Sequence, residues 1–273
     1  MNKFCVIGNP IEHSLSPKLF RYLAKDLKLN LDYQKLSCTK KDLGNTLDKL
    51  KQLNYGGANI TLPFKEEVLP WLDIVDTKAK KLGAVNVVRI NKGKLEGFNT
   101  DIIGIMHTLK KNNISVKGKS ALIFGSGGAA RSACFTLAQM GCSSIYLQNR
   151  TVSRAKKMIK EFSSLFPKVQ FKLRKQEEEF FLLVNATPLG LKSHPYKNLI
   201  KKTKANIAFD LLYSTSTTPF LKEAKKKKMK LMNGMDMFVA QALASLGIWT
   251  KKMPKEKREQ THLKIVKYLK RTT

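Results

Sequence analysis

Phe124-Gly125-Ser126-Gly127-Gly128-Ala129-Ala130-Arg131 lies between an apolar run, Ser120–Phe124, and residues 129–140, whose helical pattern stops at Gly141. In that setting it is a G-x-G-x-x-A fingerprint. Gly125 permits the tight turn. Gly127 lets backbone N–H groups approach a pyrophosphate at the helix N-terminus, where unpaired amides and the helix dipole favour an anion. Ala130 stands at the third glycine position, where a small side chain keeps helix and sheet close. The stretch predicts a dinucleotide-binding turn.

Downstream, the strand Ser144–Gln148 ends at Gln148-Asn149-Arg150-Thr151. An acid that would bind a ribose 2′-hydroxyl is missing there, and Arg150 and Arg154 follow instead. A guanidinium at this place favours a 2′-phosphate through charge-assisted hydrogen bonds, which points to NADP. Further apolar runs at 169–173, 181–185, 205–210 and 229–232, with a helical pattern at 152–166, predict a parallel, doubly wound α/β sheet.

Upstream, strand and helix signals alternate as well. Residues 3–8 read as a strand, and Ser16-Pro17 as N-cap and N1 of a helix reaching about Leu27. Residues 31–37 read as a strand, 40–53 as a helix and 57–61 as a strand. Residues 85–90 and 95–98 flank a hairpin signal at Asn91-Lys92-Gly93, so antiparallel pairing joins this sheet. The tail, at 237–247 and 255–270, is helical, and Leu263, Val266 and Leu269 recur at a spacing that suits docking on another surface. The expected layout is therefore an α/β domain of about 1–100, a dinucleotide domain of about 101–236, and a helical tail of 237–273.

At 273 residues with a hydrophobic fraction of 42%, the chain has material for two cores. The apolar start is too short for a secretory segment, and the longest later apolar run is broken by Gln241 and Ser245. A cytoplasmic, membrane-free protein is expected. The cysteines Cys5, Cys38, Cys134 and Cys142 lack CxxC spacing and read as reduced thiols, and the scattered histidines give no metal expectation. The net charge of +31 comes from 43 lysines and only 8 arginines. Nucleic-acid interfaces favour arginine, and no basic stretch is interleaved with aromatics, so no specific nucleic acid is expected. The charge attracts anionic substrates and cofactors over a screening length of about 8 Å.

Polar clusters adjoin the predicted strands of the first hundred residues: Pro10-Ile11-Glu12-His13-Ser14-Leu15-Ser16-Pro17, Asn59-Ile60-Thr61-Leu62-Pro63-Phe64-Lys65, Gly83-Ala84-Val85-Asn86 and Asn99-Thr100-Asp101. Serine, threonine and asparagine can hold hydroxyls, and a Lys–Asp pair can move a proton. Taken singly, Ser16 reads as a cap, Lys65 as a solvated lysine, and Asp101 as the N-cap of the next helix.

Together, these clusters, the glycine turn, Asn149–Ala155 read as N-R-T-x-x-R-A, and Asn185–Gly190 read as N-A-T-P-x-G resemble the shikimate dehydrogenase family along essentially the whole chain. The resemblance implies reversible, NADPH-dependent reduction of 3-dehydroshikimate to shikimate, on the route to chorismate and the aromatic amino acids. It implies that residues 1–100 form the substrate domain, to which the helices of 237–273 return, with Lys65 and Asp101 as the proton-transfer couple. Ser14, Ser16, Thr61, Asn86, Asp101 and Gln241 would hold the hydroxyls and carboxylate of shikimate, with Tyr213 nearby. The cofactor would lie on Gly125, Gly127, Gly128 and Ala129, with Asn149, Arg150, Thr151 and Arg154 at its adenosine phosphate and Thr187, Leu211 and Gly234 toward its nicotinamide half. The expected partner is the small-molecule substrate, and the expected state a monomer or homodimer. A quinate/shikimate dehydrogenase using NAD, a tetrahydrofolate dehydrogenase of similar layout, and a basic RNA-binding protein on a borrowed dinucleotide fold are the alternatives. Departures from the family pattern are Phe20 for His, Val87 for Thr, Thr77 for an acid, Leu191 for Met and Thr215 for Pro.

Overall fold

The computed structural model describes residues 2–175, 179–191, 194–214, 216–250 and 255–272, so Thr215 lies outside the described residues. The chain forms two compact units, Met1–Thr100 with Val239–Thr273, and Asp101–Phe238.

The first unit opens with β1 (Asn2–Gly8), α1 (Ser16–Asp26), β2 (Leu31–Ser37), α2 (Leu43–Gln52) and β3 (Tyr55–Ile60). It continues through β4 (Ile74–Val75), α3 (Thr77–Leu82), β5 (Val87–Asn91) and β6 (Lys94–Phe98). The strands order β2-β1-β3-β5-β6-β4, with β1 parallel to β2 and β3, and β5 antiparallel to β3 and β6. The β5–β6 hairpin turns through Lys92 and Gly93, at φ 49° and 76°, the paired positive values that match strand twist. Leu43, Leu47 and Leu50 recur on one face of α2 and join Ile7, Tyr55 and Ile60 in a core cluster.

Two local readings change. The Ser16 side chain is not the cap of α1: the helix already includes Ser16, and Ser14 Oγ accepts the Ser16 N–H at 3.3 Å. Helix α2 starts at Leu43 because Thr39 and Asp42 close a turn first, Asp42 N donating to Thr39 O at 3.2 Å. Strand β4 and helix α3 have no counterpart in the sequence reading. Asp76 caps α3 through Lys78 N and Ala79 N, and Gly83 ends it at φ 70°.

The second unit runs α4 (Asp101–Lys111), β7 (Ser120–Phe124), α5 (Gly128–Gln139), β8 (Ser144–Gln148), α6 (Val152–Leu165) and β9 (Gln170–Leu173). Then come β10 (Glu179–Asn185), β11 (Lys204–Asp210), α7 (Pro219–Lys226) and β12 (Lys230–Met232). All pairings are parallel, in the order β12-β11-β10-β7-β8-β9. Numbered from β7, this is the 3-2-1-4-5-6 order of a doubly wound dinucleotide-binding sheet, with its switch point between β7 and β10. Ala121 to Phe124 are all buried, as a central strand covered on both faces requires. Asp101 is the first residue of α4 rather than a residue outside it.

α8 (Met235–Thr250) and α9 (Lys255–Thr272) complete the chain, and from Val239 onward they belong to the first unit. Trp249 stacks on Phe4 at 4.5 Å and donates its indole N–H to Val88 O at 3.0 Å. A Cβ on Gly57 would overlap that carbonyl and the indole, so glycine is what lets α8 approach β3. Phe20 stacks on Tyr33 at 4.2 Å, which gives the departure at that position a packing role. In α9 the buried stripe is Thr261, His262, Ile265 and Leu269, while Leu263 is exposed. The expected stripe through Leu263 is thus corrected. Ile265 and Leu269 each contribute roughly 1.5–3 kcal/mol by leaving water.

Candidate active site

Parallel β1 and β3 release their following loops at the same end of the first sheet. Asn9 N donates to Leu62 O, and Thr61 N to Ile7 O, both at 2.9 Å, so the two loops are stitched together. Phe64 N then closes a turn onto Thr61 O at 2.8 Å, and Val85 N holds Lys65 O at 2.8 Å. The Lys65 side chain is half-buried, and so are Ser14 and Thr61; Ser16 is buried.

Asn86 precedes β5 and is buried. Its N–H donates to Phe98 O at 3.0 Å, its carbonyl accepts Ile60 N at 2.9 Å, and its Oδ1 accepts Thr100 N at 2.7 Å. Its Nδ2 donates to Thr100 Oγ1 at 3.0 Å and to Gln241 Oε1 at 3.4 Å. Beneath this lie residues to which the sequence reading assigned no role. Tyr33 OH donates to Asn59 Oδ1 at 2.7 Å, and Asn59 Nδ2 donates to Asn86 O at 3.2 Å and Ser245 Oγ at 3.1 Å. Ser245 Oγ in turn donates to Gln241 O at 2.9 Å and lies 3.2 Å from Thr100 Oγ1. A buried network of this kind fixes which end of each amide faces inward. Asp101, 3% exposed, follows Thr100 directly in the chain. The first unit thus brings Asn86 and Gln241 together and sets Thr61 and Lys65 on one turn.

In the second unit the residues expected at the cofactor all follow the C-terminal ends of parallel strands. Gly125 has φ 110°, and a Cβ there would come within 3.0 Å of Ala186 O, so only glycine fits this turn after β7. Gly127 occupies the cap position of α5 in extended backbone, Gly128 and Ala129 form the first turn, and Ala130 is fully buried against the sheet. This arrangement fits a pyrophosphate. Arg131 pairs with Glu161 and stacks over Phe162 at 5.5 Å, fastening α5 to α6. After β8, Asn149 Nδ2 donates to Thr151 O at 2.9 Å, and Arg150, Thr151 and Arg154 are exposed around the start of α6.

After β10 and β11, Asn185 Oδ1 accepts Thr187 N at 3.1 Å and Thr187 Oγ1 at 2.6 Å, while Asn185 Nδ2 donates to Asp210 Oδ1 at 2.9 Å. Asp210 is fully buried; burial pushes its carboxyl up to about 6, against the opposing pull of hydrogen bonds from Thr218, Leu212 and Asn185. Leu211 N donates to Asn185 O at 3.0 Å. A Cβ on Gly234 would lie 2.5 Å from Leu211 O, so glycine is needed for that close approach. Tyr213 stacks on Phe238 at 4.0 Å. Burial pushes the Cys142 thiol up to about 11 and raises those of Cys5 and Cys134 further, which makes them poor nucleophiles.

Comparison with known proteins decides the kinship. The family model "Shikimate dehydrogenase substrate binding domain" matches residues 6–88, and "Shikimate / quinate 5-dehydrogenase" matches residues 108–187. Shikimate dehydrogenase (NADP(+)) of Carboxydothermus hydrogenoformans is 36% identical over 256 residues, 90% of each chain. The chain belongs to the shikimate dehydrogenase family. The family's NADP(+) enzyme from Pelagibacter ubique is also 36% identical, covering 95% of this chain and 97% of its own. Among solved structures, the Thermus thermophilus shikimate 5-dehydrogenase in complex with NADP(H) and shikimate superposes with a TM-score of 0.82 at 33% identity, over 97% of this chain and 100% of that one. The shikimate dehydrogenase fold, a substrate domain with a Rossmann-like domain, is the fold described above.

Proposed function

We propose that this chain is an NADP-dependent shikimate dehydrogenase, catalysing the reversible reduction of 3-dehydroshikimate to shikimate. The observation that carries the reading is its kinship with NADP(+)-dependent shikimate dehydrogenases across nine-tenths of its length. The glycine turn, with Gly125 at φ 110° and in close approach to Ala186 O, supports dinucleotide binding.

NADP supplies the hydride acceptor, or as NADPH the donor, at its nicotinamide ring. Gly127, Gly128 and Ala129 would hold the pyrophosphate by backbone N–H groups, while Gly125, whose own N–H donates to Gln148 O at 2.9 Å, shapes the turn that brings them to it. Arg150 and Arg154, with Asn149 and Thr151, would bind the 2′-phosphate, a role for which exposed guanidinium groups are suited. Thr187, Leu211 and Gly234 would border the nicotinamide half.

On the substrate side, Gln241 directs Oε1 to Asn86 and Thr100, which favours its Nε2 as donor to a substrate oxygen. Ser14, Ser16, Thr61, Asn86 and Asp101 supply further donors and acceptors for the hydroxyls and carboxylate, with Tyr213 nearby. In the oxidative direction, Lys65 as free amine would accept the proton of the substrate C3 hydroxyl as hydride leaves that carbon. Asp101 would orient the ammonium so formed and stabilise it. In reduction the same proton returns to the alkoxide oxygen.

No helix of the described residues is long and apolar enough to cross a membrane. The reading places the enzyme in the cytoplasm, as a monomer or homodimer. Initial rates with shikimate and NADP, set against quinate and against NAD, test the function. Robust turnover only with quinate and NAD would overturn the assignment.

A further inference from the structure

Asp210 is a fully buried carboxylate at the end of β11 that the proposed chemistry does not use. Its Oδ1 accepts from Asn185 Nδ2 at 2.9 Å and from Leu212 N at 3.1 Å, and its Oδ2 accepts from Thr218 Oγ1 at 2.6 Å. An ionised carboxylate can only accept, so it obliges Asn185 to present its NH2 group. The Asn185 Oδ1 is thereby turned to Thr187, whose N–H and hydroxyl both donate to it, at 3.1 and 2.6 Å. The Thr187 hydroxyl proton is thus committed inside the fold, and its oxygen accepts Leu189 N at 3.3 Å. One carboxylate therefore fixes the loop after β10 through Asn185 and the loop after β11 through Leu212. Those loops carry Thr187 and Leu211.

We infer that Asp210 is a positioning residue for the nicotinamide half of the cofactor, acting through Asn185 and Leu212 without touching the cofactor itself. A group held by a hydrogen-bonded support of this kind keeps its productive geometry, and loosening the support weakens binding of what the loops contact. The inference rests on the proposed function. The Thr218 arm differs in purpose: Thr218 Oγ1 also accepts Leu221 N at 3.3 Å and caps α7, which is a structural task.

The experiment compares Asp210→Ala, Asp210→Asn and Thr218→Val with the unaltered enzyme at about pH 8, above the range in which Asp210 titrates. It reads melting temperature, KM for NADP and for shikimate, and NADPH affinity by fluorescence titration. Asp210→Ala should raise KM for NADP and the NADPH dissociation constant about tenfold or more, leaving KM for shikimate within about twofold. Asp210→Asn keeps an acceptor toward Asn185 and Leu212 and should restore most of that loss. Thr218→Val should lower the melting temperature without changing KM for NADP. If Asp210→Ala fails to fold, Asn185→Ala reads the same arm, since it keeps the carboxylate with its Leu212 and Thr218 bonds. Normal NADP parameters in the folded Ala variants, or equal losses for both substrates, would overturn the inference. The unaltered enzyme's own turnover of shikimate with NADP separately decides the proposed function.

Discussion

Asn59 on β3 donates from Nδ2 to Ser245 Oγ on α8 at 3.1 Å, across 186 positions of sequence. Through this bond the returning helix is locked to the strand whose next residues lead to Thr61 and Lys65. Because Ser245 also donates to Gln241 O, the lock sets the helical turn that carries Gln241.

Ser245→Ala removes the acceptor and leaves Asn59 Nδ2 with Asn86 O alone. A buried donor deprived of a partner costs about 1–3 kcal/mol, so the denaturation midpoint should fall by that equivalent. If about 1 kcal/mol of it is felt in the complex, KM for shikimate rises about fivefold while KM for NADP stays put. Equal stability and equal KM would show that the hydroxyl is dispensable.

Lys65→Ala should lower kcat by roughly 10²–10⁴, the range for losing a general acid–base group. Shikimate affinity should change little, since the substrate's oxygens are assigned to Ser14, Ser16, Thr61, Asn86 and Gln241. Steady-state kinetics with an equilibrium binding titration separate the two quantities. Unaltered kcat would return Lys65 to the solvated surface.

Replacing Arg150 and Arg154 together by Ala should weaken NADP and leave NAD nearly unaffected. Each charge-assisted hydrogen bond is worth about 1.5–3 kcal/mol, which predicts a change in cofactor preference of roughly tenfold or more. Both residues are exposed, so melting temperature should hold. An equal loss for both cofactors would make the pair supports of the α6 start.

What could be read in advance divides along physical lines. The parallel strands β7, β8 and β11 announce themselves as apolar runs closed by Gly, Asn or Asp, and the glycine turn follows from its position between strand and helix. The two-residue β4 and six-residue α3 carry too little periodicity to register, although the Asp76 cap and Gly83 stop are visible in hindsight. Apolar spacing alone misplaces the buried face of α9 at Leu263, because that face includes Thr261 and His262. Thr61, Lys65, Asn86 and Asp101 can be proposed from the sequence because they fall inside short motifs. The side chains behind them, Tyr33 and Ser245, carry no such signal because each bonds Asn59 from far off in sequence, and Asp210 carries none because its bond to Asn185 spans 25 positions.

Asp210 also leaves a signature in stability. Burial raises its carboxyl from the ordinary 3.8 to about 6, so between roughly pH 4 and 6 the folded chain holds a proton that the unfolded chain has released. The unfolded state binds fewer protons there, and the unfolding free energy contributed by this group falls as pH rises. The contribution is fully present below about pH 4 and is lost by the time pH passes about 6. A rise of that size corresponds to about 3 kcal/mol. Other carboxylates contribute slopes of their own, so the informative quantity is the difference between the unaltered protein and Asp210→Asn. Asn cannot titrate yet keeps an acceptor for Asn185 and Leu212. Urea unfolding at intervals from about pH 4 to 7 should show the unaltered protein losing stability relative to the variant by about 2–3 kcal/mol over that span. A flat difference would mean that the hydrogen bonds from Asn185, Leu212 and Thr218 hold the carboxylate ionised throughout, outweighing its burial.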